Sequence, residues 1–169
     1  MKKILLAICA LAALCSCNDD DPIPISQAVL NSFIARFPEA RNVTWQSSDG
    51  YLVADFYIND SGVMEECLAW FTPVGEWQMT QREMMYANLP VAVRAAFESS
   101  DYATWVIDDV VKVERISSVE YVISAEGFYL GVESDAYLYY DEAGVLVRSV
   151  IDPDYEYWGY MLQPICINQ

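Results

Sequence analysis

The sequence predicts an α+β fold made of a tandem duplicated module, in which a helix packs on one face of a four-stranded antiparallel sheet. Two observations predict it. Apolar residues recur at four-residue spacing in two stretches about 60 residues apart. Each stretch precedes four short strand-like runs separated by turn residues, and such short connections join antiparallel strands.

The first module is predicted to span residues 26–86 and to open with a helix. Ser26 is the expected N-cap and Pro38 ends the helix. The apolar stripe of this helix consists of residues at four-residue spacing, namely Val29, Phe33 and Phe37. The strand-like runs that follow it are Arg41–Gln46, Tyr51–Ile58, Met64–Phe71 and Glu76–Met79.

The second module is predicted over residues 87–151, where Asn88 or Leu89 caps a helix with Pro90 in its first turn. Its stripe is formed by Leu89, Val93 and Phe97. Its strand-like runs are Val110–Ile116, Tyr121–Ala125, Ala136–Tyr140 and Val145–Val150. Matching residues are offset by 69 or 70, as in the pairs Tyr51 and Tyr121, Phe71 and Tyr140, and Gly75 and Gly144. Since Phe37 and its match in the second helix, Phe97, are offset by only 60, extra residues are expected around 102–109.

The first 16 residues are typical of a lipoprotein signal peptide. Lys2 and Lys3 precede an apolar run over residues 4–14, which is too short to span a bilayer. The four residues that end at Cys17 resemble a bacterial lipobox, so Cys17 is the predicted lipidation site, with palmitate among its acyl chains. Residues 17–25 would then be an acylated tether, and an ordinary secretory leader is the alternative.

Composition excludes several classes of function. The chain has 9 Lys and Arg against 25 Asp and Glu, and its formal charge of −16 becomes −18 without Lys2 and Lys3. Such a charge repels phosphate backbones, which argues against nucleic-acid binding. Because the chain contains no His, Ser-His-Asp and Cys-His catalysis are excluded as usually built. We expect no cofactor and no metal site.

Two weaker patterns leave alternatives open. Asp152, Asp154 and Glu156 alternate as ligands do in calcium loops, but the glycine and the distal glutamate of such a loop are missing. Cys67 and Cys166 remain after the leader is removed, and an oxidising compartment would allow them to pair. Cys67 would otherwise be a small buried apolar residue.

Strand alternation assigns side chains to the two faces of the sheet. The residues expected to face the helices are Leu52, Ala54, Phe56 and Ile58, Cys67, Ala69 and Phe71, and Ala136, Leu138 and Tyr140. The aromatic residues expected on the other face, as a possible binding surface, are Trp70, Tyr51, Tyr57, Tyr137 and Tyr139. They would otherwise be cross-strand pairs, or be covered by the aromatic C-terminal tail, residues 152–169.

The order of these motifs resembles the PepSY-like, beta-lactamase-inhibitor-like domains of secreted proteins and lipoproteins in Bacteroidota. The residues that carry the resemblance are Phe37-Pro38, Val43 and Trp45, Ala69-Trp70-Phe71 with Gly75 and Trp77, and Leu89-Pro90. The resemblance implies an α+β fold shared with a protein inhibitor of beta-lactamases, and it brings no catalytic residues.

These observations predict a non-catalytic envelope lipoprotein that binds a protein or peptide through the open face of its sheet. The first alternative is an inhibitor of a secreted hydrolase or peptidase, and the second is a hydrolase that uses carboxylates. Behind Asn18, the acidic run over residues 19–21 resembles the signal that places lipoproteins on the outer face of the outer membrane. The alternatives are a solvated tether and residence on the periplasmic side.

Overall fold

A computed structural model describes residues 23–60 and 62–152 and contains one antiparallel sheet of eight strands. Spatial order follows chain order, and every neighbouring pair of strands is antiparallel. The helices are α1 (Gln27–Arg36) and α2 (Val91–Glu98). The strands are β1 (Arg41–Ser48), β2 (Tyr51–Asp60), β3 (Val63–Phe71), β4 (Trp77–Glu83), β5 (Val106–Arg115), β6 (Val119–Tyr129), β7 (Val132–Asp141) and β8 (Leu146–Asp152).

The predicted α+β class and antiparallel sheet are confirmed, but the strands form one sheet and not two. Strands β4 and β5 pair from Met79 with Arg115 to Glu83 with Val111, and this pairing joins the two halves. Among the described residues, neither helix is long and apolar enough to cross a membrane.

Helix α1 begins and ends where the sequence predicts. Ser26 is its N-cap, and the Ser26 side chain accepts a hydrogen bond from the backbone N–H of Val29. The helix stops at Arg36, one residue before the Phe37 cap and two before Pro38. Phe33 is buried and Phe37 is half-buried, so the predicted stripe faces the sheet.

The predicted cap of α2 is wrong. Pro90 is the N-cap, while residues Tyr86–Asn88 form a separate 3₁₀ turn. The physical reason lies at Leu89, which precedes a proline and therefore avoids helical backbone angles. Its φ of −57° and ψ of 148° are extended, and its side chain is buried in the core.

Each helix covers its own cluster of buried side chains on the same face of the sheet. The cluster under α1 contains Val29, Phe33, Leu52, Ala54, Phe56, Cys67, Ala69 and Phe71. The cluster under α2 contains Leu89, Val93, Phe97, Val110, Tyr121, Ile123, Ala136, Leu138 and Tyr140. Every side chain predicted to face the helices lies in or against one of these clusters.

Two glycines set the distance between each helix and the sheet. Gly75 and Gly144 both have positive φ, and a Cβ at either would lie within 3 Å of the backbone of Ala28 or Ala92. Because Ala28 and Ala92 occupy the same place in α1 and α2, Phe33 corresponds to Phe97. The match of Phe37 with Phe97 made from spacing is therefore wrong.

The pairing register also corrects one match between the strands. Val53 pairs with Trp70, and Val122 pairs with Tyr139, so a uniform offset of 69 relates the two hairpins. With this offset Tyr51 does not correspond to Tyr121, which is buried against α2. The longer connection expected in the second half is present, since residues 99–105 link α2 to β5 and residues 37–40 link α1 to β1.

Candidate protein-interaction surface

The sheet face opposite both helices, here called the open face, has an apolar centre. Its buried residues come from six strands and form one cluster across the two halves: Val53, Trp70, Met79, Val111, Val113, Val122 and Tyr139. Members of this cluster lie directly opposite each other on neighbouring strands, as Val111 does with Val122 and Val122 with Tyr139.

The expectation that Trp70 and Tyr139 are exposed anchors on this face is wrong. Trp70 is 4% exposed and Tyr139 is 1% exposed. Both rings pack into the apolar centre, and the guanidinium of Arg148 lies 3.8 Å from the centroid of the Tyr139 ring. Truncating either ring would therefore remove packing from a core.

The other three residues of the predicted binding face keep partial access to solvent. Tyr51, Tyr57 and Tyr137 are half-buried on the open face. The Tyr57 hydroxyl donates a hydrogen bond of 3.0 Å to a carboxylate oxygen of Glu66, which raises the pKa of the tyrosine. Their role in binding stays a prediction.

Beside the apolar centre, four carboxylates lie on neighbouring strands β2 to β5. We call Asp55, Glu66, Glu83 and Asp109 the acidic group. Burial raises the pKa values of Asp55, Glu83 and Asp109, and a neighbouring carboxylate adds to each shift. For Asp55 that neighbour is Glu66, and for Glu83 it is Asp109 followed by Glu66.

Within residues 23–60 and 62–152, the ion pairs do not neutralise this group. The pairs formed there are Arg82 with Asp60 and with Glu65, Lys112 with Glu114, and Arg115 with Glu120. Burial, with a neighbouring carboxylate in each case, makes the charged forms of Asp55, Glu83 and Asp109 an electrostatic cost to the folded protein, and a cationic partner would relieve that cost.

The opposite end of the open face carries positive charge. Arg115 and Arg148 lie there with Glu120, which is 4% exposed and 3.5 Å from Arg115. Burial and the nearby charge of Arg148 lower the pKa of Arg115. The open face therefore has an acidic end, an apolar centre and a basic end.

The turn between β6 and β7 exposes apolar side chains that the strand pattern did not single out as a site. We call residues 128–132 the β6–β7 tip. Phe128 is 71% exposed, Tyr129 47%, Leu130 88% and Val132 59%. Leu130 also has a φ of 52°, a conformation that a leucine adopts at a cost in free energy. A contiguous exposed apolar segment of this kind is typical of an interaction site.

The equivalent turn in the first half is polar. With the offset of 69, residues 59–63 correspond to the β6–β7 tip, and their sequence is Asn-Asp-Ser-Gly-Val. Here the Asn59 side chain accepts a hydrogen bond of 2.8 Å from the backbone N–H of Gly62. Comparing the two hairpins would have revealed the apolar tip from sequence, once the correct offset was known.

Because successive strands alternate in direction, both turns lie at one edge of the sheet, roughly 19 Å apart across four strand spacings. The acidic group lies toward this edge, and Val63, Glu66, Glu83 and Asp109 line a cavity of about 220 Å³. This volume is below the range of about 300–1,000 Å³ typical of small-molecule sites. The edge therefore suits a protein surface better than a small ligand.

On the helix side, a second cavity of about 370 Å³ lies between the two halves. Arg82 is one of its lining residues and pairs with both Asp60 and Glu65. Glu65 is buried, so its pairing with Arg82 satisfies a charge that would otherwise be costly. We assign these ion pairs to the structure of the junction.

Cys67 is a free, buried thiol, and burial raises its pKa to about 12. Among the residues searched, 23–60 and 62–152, no group of three or more Cys, Asp or Glu could hold a metal ion. The predicted lipidation site Cys17, the tether up to residue 22, Cys166 and the tail from residue 153 lie outside the described residues.

Comparisons with known proteins agree with this architecture. The family model described as "Putative beta-lactamase-inhibitor-like, PepSY-like" matches residues 53–148. A BLIP-like protein from Bacteroides fragilis is 32% identical with a TM-score of 0.70, over 79% of this chain and 91% of that one. The fold and these matches define a class of small α+β proteins with one antiparallel sheet. The chain belongs to the PepSY-like, beta-lactamase-inhibitor-like family.

Two further solved structures share the fold. A DUF2874 family protein from Bacteroides ovatus is 30% identical with a TM-score of 0.67, over 78% of this chain and 89% of that one. A protein from Bacteroides uniformis, also of the DUF2874 family, is 21% identical with a TM-score of 0.65, over 75% of this chain and 88% of that one. A comparison with curated proteins finds no match.

Proposed function

We propose that this protein is a non-catalytic envelope lipoprotein that binds another protein at the edge of its open face. The observation that carries the proposal is the β6–β7 tip, where Phe128, Leu130 and Val132 are each more than half exposed. With the offset of 69, the first half has Asn59 and Ser61 at the positions of Phe128 and Leu130, so the hairpin itself does not require apolar residues at those two positions. Exposed apolar side chains that the fold does not need indicate contact with a partner.

The acidic group indicates the charge of that partner. The charged forms of Asp55, Glu83 and Asp109 are disfavoured in the free protein, because burial and then repulsion from a neighbouring carboxylate raise their pKa values. A partner that brings Lys or Arg to this edge would remove the repulsion. Binding should therefore be tightest at low ionic strength and weaken as salt is added.

The shape of the tip favours inhibition as the form that binding takes. Leu130 lies at the apex of a two-stranded turn and is 88% exposed, a shape that would suit the cleft of another protein. The printed name of the Bacteroides fragilis relative, BLIP-like, supports the same reading. The candidate target is a secreted hydrolase or peptidase with basic residues beside its cleft.

Three further elements of the proposal come from sequence. The leader and lipobox support acylation at Cys17, and the acidic run over residues 19–21 supports display at the cell surface. The common offset of 69, with register shifts at Trp70/Phe71 and at Tyr139/Tyr140, supports origin by duplication of a four-stranded module. The absence of His from the chain supports a non-catalytic role.

The test is affinity capture from an envelope extract with the wild type and two variants. Leu130→Asn removes the apolar apex of the tip. The matched control is Ile116→Asn, because Ile116 is 74% exposed in the β5–β6 turn at the opposite edge. We expect one protein to be enriched by the wild type and the control, and to be reduced about tenfold or more with Leu130→Asn.

The captured protein then separates binding from inhibition. Its affinity is measured at low and high salt, and its hydrolase or peptidase activity is measured with and without this chain. Equal capture by the wild type and Leu130→Asn would contradict the assignment of the tip. Capture that is insensitive to salt would contradict the role of the acidic group.

A further inference from the structure

The helix side of the sheet carries two positive charges that face each other where the halves join. Arg82 of β4 lies directly opposite Lys112 of β5. Their neighbours in the same row are Cys67 and Tyr121, which belong to the clusters under α1 and α2. Directly opposite residues have Cβ atoms about 4.5–5.5 Å apart, and like charges in such a pair are destabilising. The fold thus holds a repulsive pair between two apolar clusters.

The acids that neutralise these two cations come from different strands. Arg82 pairs with Asp60 and Glu65, which belong to β2 and β3 on the side of β4 remote from β5. Lys112 pairs with Glu114, two residues further along its own strand, at 2.6 Å. A guanidinium has five N–H donors and an ammonium has three. Both cations therefore keep donors beyond those that their acidic partners use.

The cavity of about 370 Å³ on the helix side is lined by both cations. Its volume lies within the range of about 300–1,000 Å³ typical of small-molecule sites, unlike the cavity of about 220 Å³ on the open face. The rest of its lining consists of the two carboxylates bound to Arg82 and of Met84, Asn88 and Tyr121. The charges of the lining cancel, so an anion inside the cavity meets no net negative charge there, although the whole chain is strongly acidic.

Two further side chains of this lining have no hydrogen-bond partner within residues 23–60 and 62–152, namely the Tyr121 hydroxyl and the Asn88 amide. Tyr121 is 7% exposed, yet its hydroxyl is not among the unpartnered atoms sealed away from solvent, so it opens into the cavity. Burial raises the pKa of Tyr121 and the charge of Lys112 opposes that shift, so the hydroxyl keeps its proton near neutral pH and lies near the ammonium. A buried donor without an acceptor costs free energy that a ligand would recover.

We propose that this cavity binds a small organic carboxylate, whose charged group lies between Arg82 and Lys112. The apolar body of the ligand packs against Met84 and the ring of Tyr121. The two carboxylate oxygens accept about four hydrogen bonds, which matches the four donor side chains of the lining. A shared anion also turns the repulsion between the two cations into two charge-assisted hydrogen bonds. This site lies on the helix side, whereas the partner surface proposed above lies on the open face, so neither rests on the other.

The experiment measures the Kd of three probes for the full chain by nuclear magnetic resonance titration. Hexanoate and hexanamide have the same aliphatic body, and hexanoate alone is charged. We expect hexanoate to bind about tenfold more tightly than hexanamide, or better. Equal affinities would overturn the assignment of a carboxylate site. Inorganic phosphate is the third probe, and tighter binding of phosphate than of hexanoate would overturn the choice of a carboxylate among oxyanions.

Variants then locate the bound hexanoate. Lys112→Met removes the charge at nearly constant side-chain length and should weaken hexanoate about tenfold or more. Tyr121→Phe removes one hydroxyl that the described fold does not use, so it should weaken hexanoate about threefold or more at an almost unchanged melting temperature. The matched control is Arg41→Met, which removes one positive charge from an exposed position on β1 and should leave the Kd unchanged.

Two outcomes with these variants would overturn the site. An equal loss of affinity in Arg41→Met would mean that the net charge of the chain alone governs binding. Unchanged affinity in Tyr121→Phe and Lys112→Met would place the ligand elsewhere. If Lys112→Met does not fold, Tyr121→Phe decides the result, because it leaves every described hydrogen bond intact. No partner protein is present, so the result is independent of the proposed function.

Discussion

The two halves of the sheet share one backbone plan and fill it with different side chains. In both halves a glycine in a turn, Gly75 or Gly144, lies against the backbone of the first turn of a helix. Under α1 the core is aromatic, and the ring of Phe33 lies 5.1–6.2 Å from those of Phe37, Trp45, Phe56 and Phe71. Under α2 aliphatic side chains predominate, and within residues 23–60 and 62–152 Phe97 has one ring neighbour, Tyr86, at 6.0 Å.

The difference teaches which features the fold requires. Features common to both halves belong to the architecture. They include the contacts of the two glycines with the helices and the register shifts in the β3–β4 and β7–β8 pairs. Features present in one half belong to function or to later divergence. The apolar apex at Leu130 is present in the second half alone, where the first half has a polar turn. This contrast separates the proposed binding tip from the scaffold.

The largest expected effect is a loss of stability on truncating Phe33 or Phe97, which occupy equivalent positions in the two helices. Phe33→Ala should cost about 3–5 kcal/mol of unfolding free energy, and Phe97→Ala should fall toward the lower end of that range. The reason is that Phe33 loses four aromatic neighbours and Phe97 loses one, and each such pair contributes about 0.5–1.5 kcal/mol. Urea unfolding of both variants gives the two values. Equal losses would contradict a special role for the aromatic cluster.

The next prediction concerns the paired glycines. Gly75→Ala and Gly144→Ala should each cost about 1–2 kcal/mol for positive φ and about 1–3 kcal/mol more for the clash with Ala28 or Ala92. The matched controls are Gly62→Ala and Gly131→Ala, where φ is positive but a Cβ would meet nothing within 4 Å. The melting temperatures of the two control variants should be clearly higher than those of Gly75→Ala and Gly144→Ala.

Much of the scaffold follows from the sequence because alternation and turn residues are local signals. Period-two alternation assigned Ala69, Phe71 and Leu138 to the helix side, and the helix clusters contain them. Alternation does not say what lies over the other face, which is why Trp70 and Tyr139 were expected to be exposed. Burial depends on contacts between residues distant in sequence, and residue spacing does not carry that information.

The matching of the halves failed for a related reason. Tyr51 and Tyr121 were paired because they are the same residue type, with an offset of 70. Cross-strand pairing fixes the offset at 69, and a shift by one residue moves a side chain to the other face. The same error hid the correspondence between residues 59–63 and the β6–β7 tip, so the apolar apex did not stand out.

A smaller effect is expected from pH. Burial and then repulsion from neighbouring carboxylates raise the folded-state pKa values of Asp55, Glu83 and Asp109 above their ordinary values. The folded state then binds more protons than the unfolded chain, so the penalty is complete above the raised values and disappears as pH falls toward about 4. Relative to Glu83→Gln with Asp109→Asn, the wild type should gain melting temperature on acidification. A constant difference would refute the coupling.

The smallest effect on stability is expected from Leu130→Asn, the variant that should most weaken binding. Leu130 is 88% exposed, so the fold loses almost no packing when its side chain is shortened. Its φ of 52° costs a leucine more than an asparagine, whose side chain tolerates the left-handed region. Stability should stay within about 0.5 kcal/mol of the wild type or rise slightly. The melting temperature and the capture of the partner are measured on one sample. If both fall together, Leu130 stabilises the fold, and its exposure does not distinguish a binding tip from the scaffold.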